Sequence, residues 1–432
     1  MKTQAGRQGS HAFLLSIMML LQYAVWGLWV PYLANYLGAP MEKGGLGFTQ
    51  YEIGGIMGFA AAVGALAAPF VAGQIADRFF DAEKALAGLL FLGGAVNMVL
   101  STVTEFTPFL VLSVLYSVFY MPTVGLTNSV AFANLRHRER HWPVVRSLGT
   151  IGWILASVLF SWLWLSTNDD VVNTRRIADA LLASGALSIL YALYAFFILP
   201  RTPPEKSSES PLAFTKAFRM LKHPGFALVM AAALPISIIH AAFWFRYAPY
   251  LKDVVLDGLP LQDRQAWIGP ISAIGQASEI LVLILLGFFV RNLGYRRVLL
   301  MGCAAYVLRA GIFAIGDPVA LVIAAQALHG FCFGCFIAAA FMYVERVSPV
   351  DIRHSAQAVL GIVILGIGPV LAGPFSGFFD RFKQPGGIDD YIAFWWAVAG
   401  FALLAALLLM LFFRREHEPV PETVLVRDGG PS

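Results

Sequence analysis

A stretch such as "ISAIGQASEILVLILLGFFV", residues 271–290, leaves a chain few options. About twenty mainly apolar residues in a row match a helix that crosses a bilayer. In hydrocarbon, backbone N–H and C=O groups must be satisfied inside the segment or in a closed barrel. Runs of this kind recur near residues 12–37, 51–76, 84–103, 107–133, 145–166, 178–199, 225–251, 266–290, 296–315, 318–345, 354–379 and 390–413. Barrel strands would instead alternate over segments of roughly ten residues. Composition agrees, with 58% hydrophobic and 13% charged residues, against about 25% charged in soluble domains. The expectation is an all-α polytopic membrane protein of twelve transmembrane helices. The first run, from Ala12, is too long for the apolar core of a cleavable signal and is read as the first span. Cys303, Cys332 and Cys335 all fall in apolar segments. In an apolar segment with no soluble βαβ context, the C-x-x-C spacing of the last two reads as helix packing rather than a disulfide, redox or metal site.

The longest polar interruption, "RTPPEKSSESPLAFTKAFRMLKHPG", divides six spans from six. It mixes a Pro/Ser/Glu linker with a short basic amphipathic stretch suited to a membrane surface. The organisation read from this is a first half over 1–199, a central loop over 200–224, a second half over 225–413 and a tail over 414–432. Basic residues concentrate in the loops on the side of the termini, among them Arg136, Arg138, Arg140, Lys216, Arg296 and Arg297. The opposite side holds far fewer, such as Lys43, Arg246 and Lys252. By the positive-inside rule both termini and the central loop are cytoplasmic. "GQIADRFFDAEK" after span two and "GFFVRNLGYRRV" after span eight occupy matching places, a weak internal repeat. Parallel halves with a site between them near the midplane describe alternating-access carriers. The first of these segments resembles the G-x-x-x-D-R loop of the major facilitator superfamily, with Gly73, Asp77 and Arg78 in place as gating residues. It departs from that signature at Phe80 and Asp81.

Polar groups inside the spans fall into stripes. Arg146, Thr150 and Trp153 lie at i, i+4 and i+7 on span five, one face of one helix. A guanidinium, a hydroxyl and an indole together suit a flat ligand with several polar edges. Equally, Arg146 belongs to a basic loop and can snorkel to the surface. Gln22, Trp26 and Trp29 repeat the spacing on span one, and Tyr120 and Thr123 flank Pro122 on span four. Such aromatics are often packing or interfacial belt. His240, Trp244 and Tyr247 share a face of span seven, as do His329 and Phe333 on span ten; a lone His there is commonly a helix-to-helix hydrogen bonder. Arg309 is a second charge within an apolar span, readable as structural. Glu279, three residues after Gln276, is harder to assign to packing: a charge at mid-span costs roughly 2.5–3.5 kcal/mol, and such groups usually face a cavity or carry a proton.

Through "LQYAVWGLW", "YMPTVGLTNS", "RSLGTIGW", "IGQASEI", "VLRAGIFAIGDP" and "VERVSPVDIRHSAQ" the chain resembles the bacterial nucleoside:proton symporters of the major facilitator superfamily over nearly its whole length. That resemblance implies the major facilitator fold, a bacterial cytoplasmic (inner) membrane location and a nucleoside site contacted by Arg146, Thr150, Trp153, Gln276 and Glu279, with Phe333 stacking on the base. Gln22, Trp26, Tyr120 and Thr123 are read as further substrate contacts. Glu279, His329 and His240 are the candidates for proton coupling. Family members carry an acid directly after the span-ten aromatic, where this chain has Gly334, and amides on span seven, where it has Ala241 and Trp244 nearby. The expected partners are a nucleoside, protons and membrane lipid, with no nucleic acid, cofactor or metal, and the chain is read as a monomer. A facilitative or ion-coupled carrier of a sugar or glycoside is the alternative, since tryptophan stacks on sugar rings as well as on bases. No H-E-x-x-H, G-x-S-x-G or Walker motif supports an enzyme or ATP-driven pump.

Overall fold

The computed structural model describes residues 2–69, 71, 80–135, 138–203, 220–257, 259, 263–349, 352–382 and 389–414. Its helices are α1 (Lys2–Gly27), α2 (Gln50–Pro69), α3 (Ala82–Leu100), α4 (Phe106–Asn134), α5 (Arg138–Trp164), α6 (Asp170–Phe197), α7 (Pro224–Val255), α8 and α9 (268–293 and 295–315), α10 (Val319–Val347), α11 (Ser355–Phe382) and α12 (Asp389–Phe412). Ten described stretches are long and apolar enough to cross a membrane; Arg264–Ile315 holds two spans, and the shorter apolar part of α1, His11–Gly27, supplies the remaining one. The gating residues read from the sequence, Gly73, Asp77 and Arg78, lie outside the described residues, as does most of the central loop and the tail beyond Arg414.

Local chemistry sets where the helices begin and break. Thr49 and Glu52 form a capping box that starts α2. Asp169 accepts from Val171 N and Val172 N to start α6, and His223 followed by Pro224 starts α7. The chain separates α8 from α9 at Gly294, whose φ of 77° is a left-handed conformation that favours glycine. The predicted first span, 12–37, is interrupted: α1 ends at Gly27, the backbone turns around Pro31, which has no N–H to donate, and a short helix resumes at Leu33–Gly38. Pro122 does not break α4, which runs through it.

The helices pack as two groups of six with matching neighbours. In the first, α1 lies on α5, α2 on α4 and α3 on α6; in the second, α7 lies on α11, α8 on α10 and α9 on α12. Between the groups the principal contacts are α5 with α8 and α2 with α11, themselves a matched pair. Asp81, unusual for the superfamily loop, works within the first group: it pairs with Lys84 at 2.8 Å and Arg201 at 3.2 Å. The hydrogen bond from Lys84, foremost, and the charge of Arg201 hold its carboxyl below the ordinary range.

At the face opposite the termini the two groups are latched. Arg246, read from the sequence as an outer loop residue, is instead buried near the end of α7. Its Nε donates to Ser376 Oγ at 2.9 Å, and its Nη2 donates to Ser376 O at 2.6 Å and to Asp380 Oδ1 at 3.0 Å. The other oxygen of Asp380 accepts from Gln50 N at 3.1 Å, and Ser376 Oγ donates to Gln50 Oε1 at 2.9 Å. An acid of the second group thus caps the first turn of α2 in the first group. Asn35 Nδ2 to Gln265 Oε1 at 2.8 Å and Lys252 Nζ to Asp170 Oδ2 at 3.7 Å add two more ties on the same face. Replacing Asp380 removes the acceptor that Gln50 N reaches across the seam. Asp380→Ala should therefore open this face. Spin labels on exposed Met41 and Trp267, one per group, should show a longer distance in the variant than in the wild type; unchanged distances would deny the latch its role.

Candidate functional site

The stripe on α5 faces α8 of the opposite group. Arg146 is half-buried, while Thr150 and Trp153 are buried. The Arg146 guanidinium lies 4.3 Å from the centre of the Tyr23 ring on α1, a cation–π contact that fixes it beside the inter-group seam. It is also the foremost charged neighbour of Glu279 on α8. Arg146 is thus held against α1 by Tyr23, with its charge acting on Glu279. Trp153 meets Trp244 of α7 edge to face at 6.2 Å, so indoles from the two groups touch across the seam.

On the second group's side, Glu279 is buried, with Oε2 3.6 Å from His329 Nε2 on α10. His329 Nδ1 faces Arg309 Nη1 of α9 at 3.2 Å, and Arg309 Nη2 donates to Gln326 Oε1 at 2.7 Å. His240 of α7 stacks on His329 with ring centres 5.8 Å apart, approaches Phe333 at 6.1 Å and places Nδ1 2.7 Å from the Tyr306 hydroxyl. Phe333 lies in a wide π-turn, Cys332–Ala338, the kind of helical irregularity found often at functional sites. Gln276, one turn before Glu279, is half-buried. Arg146, Thr150, Trp153, Glu279, His329, His240 and Phe333 thus belong to one region at the middle of the molecule.

The span-one and span-four residues behave differently. Gln22 Nε2 donates to Thr123 Oγ1 at 2.9 Å, Gln22 Oε1 accepts from Thr127 Oγ1 at 3.0 Å, and the Tyr120 hydroxyl donates to Gln22 O. These three sequence candidates spend their polar atoms joining α1 to α4, as expected where water is scarce. Trp26 remains half-buried against Tyr120, ring centres 5.6 Å apart. Sequence reasoning missed Tyr23, Tyr306 and Gln326. Tyr23 sits beside Gln22 but off the stripe, Tyr306 meets His240 of α7, and Gln326 reaches Arg309 from α10, so spacing within one span could not reveal these pairings.

The family described as Nucleoside H+ symporter matches residues 10–418 of the chain. YegT of Escherichia coli (strain K12) is 30% identical over 94% of each chain. The xanthosine permease of the same organism is 27% identical over 95% of this chain and 97% of the relative. A crystal structure of the nucleoside transporter NupG superposes with a TM-score of 0.80 at 24% identity, covering 93% of this chain and 99% of the other.

Gly334, where an acid was expected, is a close-packing position. A Cβ there would lie 2.7 Å from Val282 Cγ1 on α8, and one at Gly330 would lie 2.5 Å from the carbonyl of Ser278. Glycines four residues apart let α10 approach α8 closely, which sets the Glu279–His329 distance. The obstacle at Gly334 is a methyl that can rotate away, whereas that at Gly330 is backbone. Gly330→Ala should therefore lower stability by about 1–3 kcal/mol, the usual cost of overpacking, and Gly334→Ala by less. Thermal unfolding of the purified variants checks the order; equal losses would contradict this packing account.

Proposed function

The chain belongs to the nucleoside H+ symporter family, and on that premise we propose that it carries nucleosides across the bacterial cytoplasmic membrane by alternating access, driven by protons. The observation that carries the reading is the meeting of unlike chemistry from the two groups: Arg146 and Trp153 from one, Glu279 and Phe333 from the other. A nucleoside has a flat base and a polyhydroxylated ring. Trp153 and Phe333 supply faces for the base, while Arg146, Thr150, Gln276 and Glu279 supply donors and acceptors for its edges and for the ribose. A ligand held by both groups at once favours the arrangements in which they close around it, and this differential affinity couples binding to movement. With the termini cytoplasmic, the latch through Arg246, Asp380 and Gln50 closes the outer face, and the site releases its cargo inward.

Glu279 is the proton acceptor in this scheme. As a carboxylate it answers the positive charge of Arg146; as a neutral acid it leaves Arg146 free to bind the nucleoside. Proton and nucleoside together then satisfy the site, whereas a proton alone leaves Arg146 unanswered inside the membrane, which makes the half-loaded carrier slow to reorient; the empty carrier, with its carboxylate answering Arg146, can return.

Two measurements test the reading. Thermal-shift binding with uridine, adenosine, xanthosine, free bases, ribose and xylose should show stabilisation by nucleosides first. Trp153→Ala should weaken nucleoside binding by about 5- to 150-fold, the equivalent of about 1–3 kcal/mol for a lost stack, and Trp153→Phe by less. Competition by ribose as strong as by a nucleoside would replace this reading with a sugar carrier. In proteoliposomes, a proton gradient should drive uridine accumulation by the wild type, while Glu279→Gln should still exchange uridine but fail to accumulate it. Accumulation by that variant at the wild-type level would remove Glu279 as proton acceptor.

A further inference from the structure

Arg309 is buried in α9, and among the described residues no carboxylate pairs with it directly. Its guanidinium lies 4.0 Å from the Phe243 ring centre and 5.4 Å from that of Phe313, and Gln326 Oε1 accepts from its Nη2 at 2.7 Å. Three neighbours thus fix its plane. The remaining contact, Nη1 to His329 Nδ1 at 3.2 Å, constrains chemistry as well as position. A guanidinium has five N–H donors and no acceptor. Its partner nitrogen must therefore be the bare one, and neutral His329 must carry its proton on Nε2. Nε2 is the atom that faces Glu279 Oε2 at 3.6 Å.

We propose that Arg309 is a positioning residue that holds His329 as the Nε2–H tautomer, so that the imidazole presents a donor to Glu279 and does not itself carry the coupled proton. The inference deepens the proposed proton-coupled function and rests on that reading for its role in transport. Both nitrogens of His329 are accounted for: Nε2 already holds hydrogen, and a proton on Nδ1 would set one donor against another. The coupled proton instead bonds to a Glu279 carboxylate oxygen, through an oxygen lone pair, and leaves to water on the cytoplasmic side; the Nε2–H bond of His329 stays intact throughout. The groups facing Glu279 fit this division. Arg146 comes from α5, His240 from α7 and His329 from α10, with the Tyr23 hydroxyl on α1 and the Tyr306 hydroxyl on α9 within electrostatic reach. Tyr306 is taken up by His240 Nδ1 at 2.7 Å. Arg309 thereby finds its counter-charge one residue away, in Glu279, through the imidazole between them.

Nitrogen NMR of histidine-labelled full-length protein in nanodiscs tests the assignment without any substrate. The His329 signals are identified by their loss in His329→Asn. The wild type should show protonated Nε2 and bare Nδ1 at neutral pH, and Arg309→Met should populate the other tautomer, with Arg309→Lys, whose ammonium also donates, restoring the first. An Nδ1–H form in the wild type, or a spectrum unchanged in Arg309→Met, overturns the proposal, and the wild-type spectrum alone decides if the methionine variant does not fold. In proteoliposomes with labelled uridine, Arg309→Met should lose proton-driven accumulation by about ten- to a hundredfold, the scale of a lost hydrogen bond to a charged group, while uridine exchange falls much less and Arg309→Lys recovers the accumulation. Equal losses of exchange and accumulation, unrescued by lysine, would assign Arg309 a purely structural role. Failure of the wild type to transport uridine would instead count against the proposed function and leave the tautomer result standing.

Discussion

A charge placed between membrane-spanning helices is tolerated only when another group answers it, and the centre of this molecule is arranged around that demand. Glu279 and Arg309 are both buried. Neither is paired at salt-bridge distance with an opposite full charge among the described residues; a neutral ring stands between them, and Arg146 faces the carboxylate from the other group of helices. Each charge is thus answered by more than one neighbour: for Glu279 they come from both groups, for Arg309 from α7, α9 and α10 of the second. A directly bonded pair would be more self-contained and less responsive, because its charges would already be satisfied whatever the two groups did.

The outer latch uses the same chemistry to different effect. Arg246 is held by Ser376, Asp380 and, through them, by Gln50 across the seam. The ties within the second group are short and charged, while those crossing to the first are hydrogen bonds to one amide side chain and one helix-terminal N–H. The arginine and its acid lie on one side of the seam, and what crosses it at this face is the Gln50 links, the Asn35–Gln265 hydrogen bond and the Lys252–Asp170 pair. The α2 terminus does not lose its cap on opening, because Thr49 and Glu52 already form a capping box of their own. Such a division lets a face close firmly without making its opening prohibitively costly.

The fold was legible because hydrocarbon leaves so few solutions: length and apolarity located the spans. Stripes at i, i+4 and i+7 located Arg146, Thr150 and Trp153, since one face of a helix is a property of one segment. The stripe of Gln22, Trp26 and Trp29 and the hydroxyls of Tyr120 and Thr123 read as ligand-facing in the same way, yet the polar atoms of Gln22, Tyr120 and Thr123 bond between α1 and α4. Periodicity states that residues share a face and is silent on what that face meets. For this reason Tyr23 under Arg146 and Gln326 beside Arg309 had no signature in the sequence. The interruption of the first span at Pro31 could have been drawn from proline chemistry, whereas the π-turn around Phe333 follows from packing that no local pattern encodes.

Gly334 brings these strands together. The absence of an acid after Phe333 first reads as a missing part, but in the fold that position is one of close packing, where a Cβ would meet Val282 Cγ1 at 2.7 Å. The tight approach of α10 to α8 through Gly330 and Gly334 is what carries His329 to within 3.6 Å of Glu279. An acid at 334 would need Val282 to turn aside; without that it would push α10 outward and part the imidazole from the carboxylate. The helix that lacks the acid thus supplies, through His329, the donor that faces Glu279 on α8.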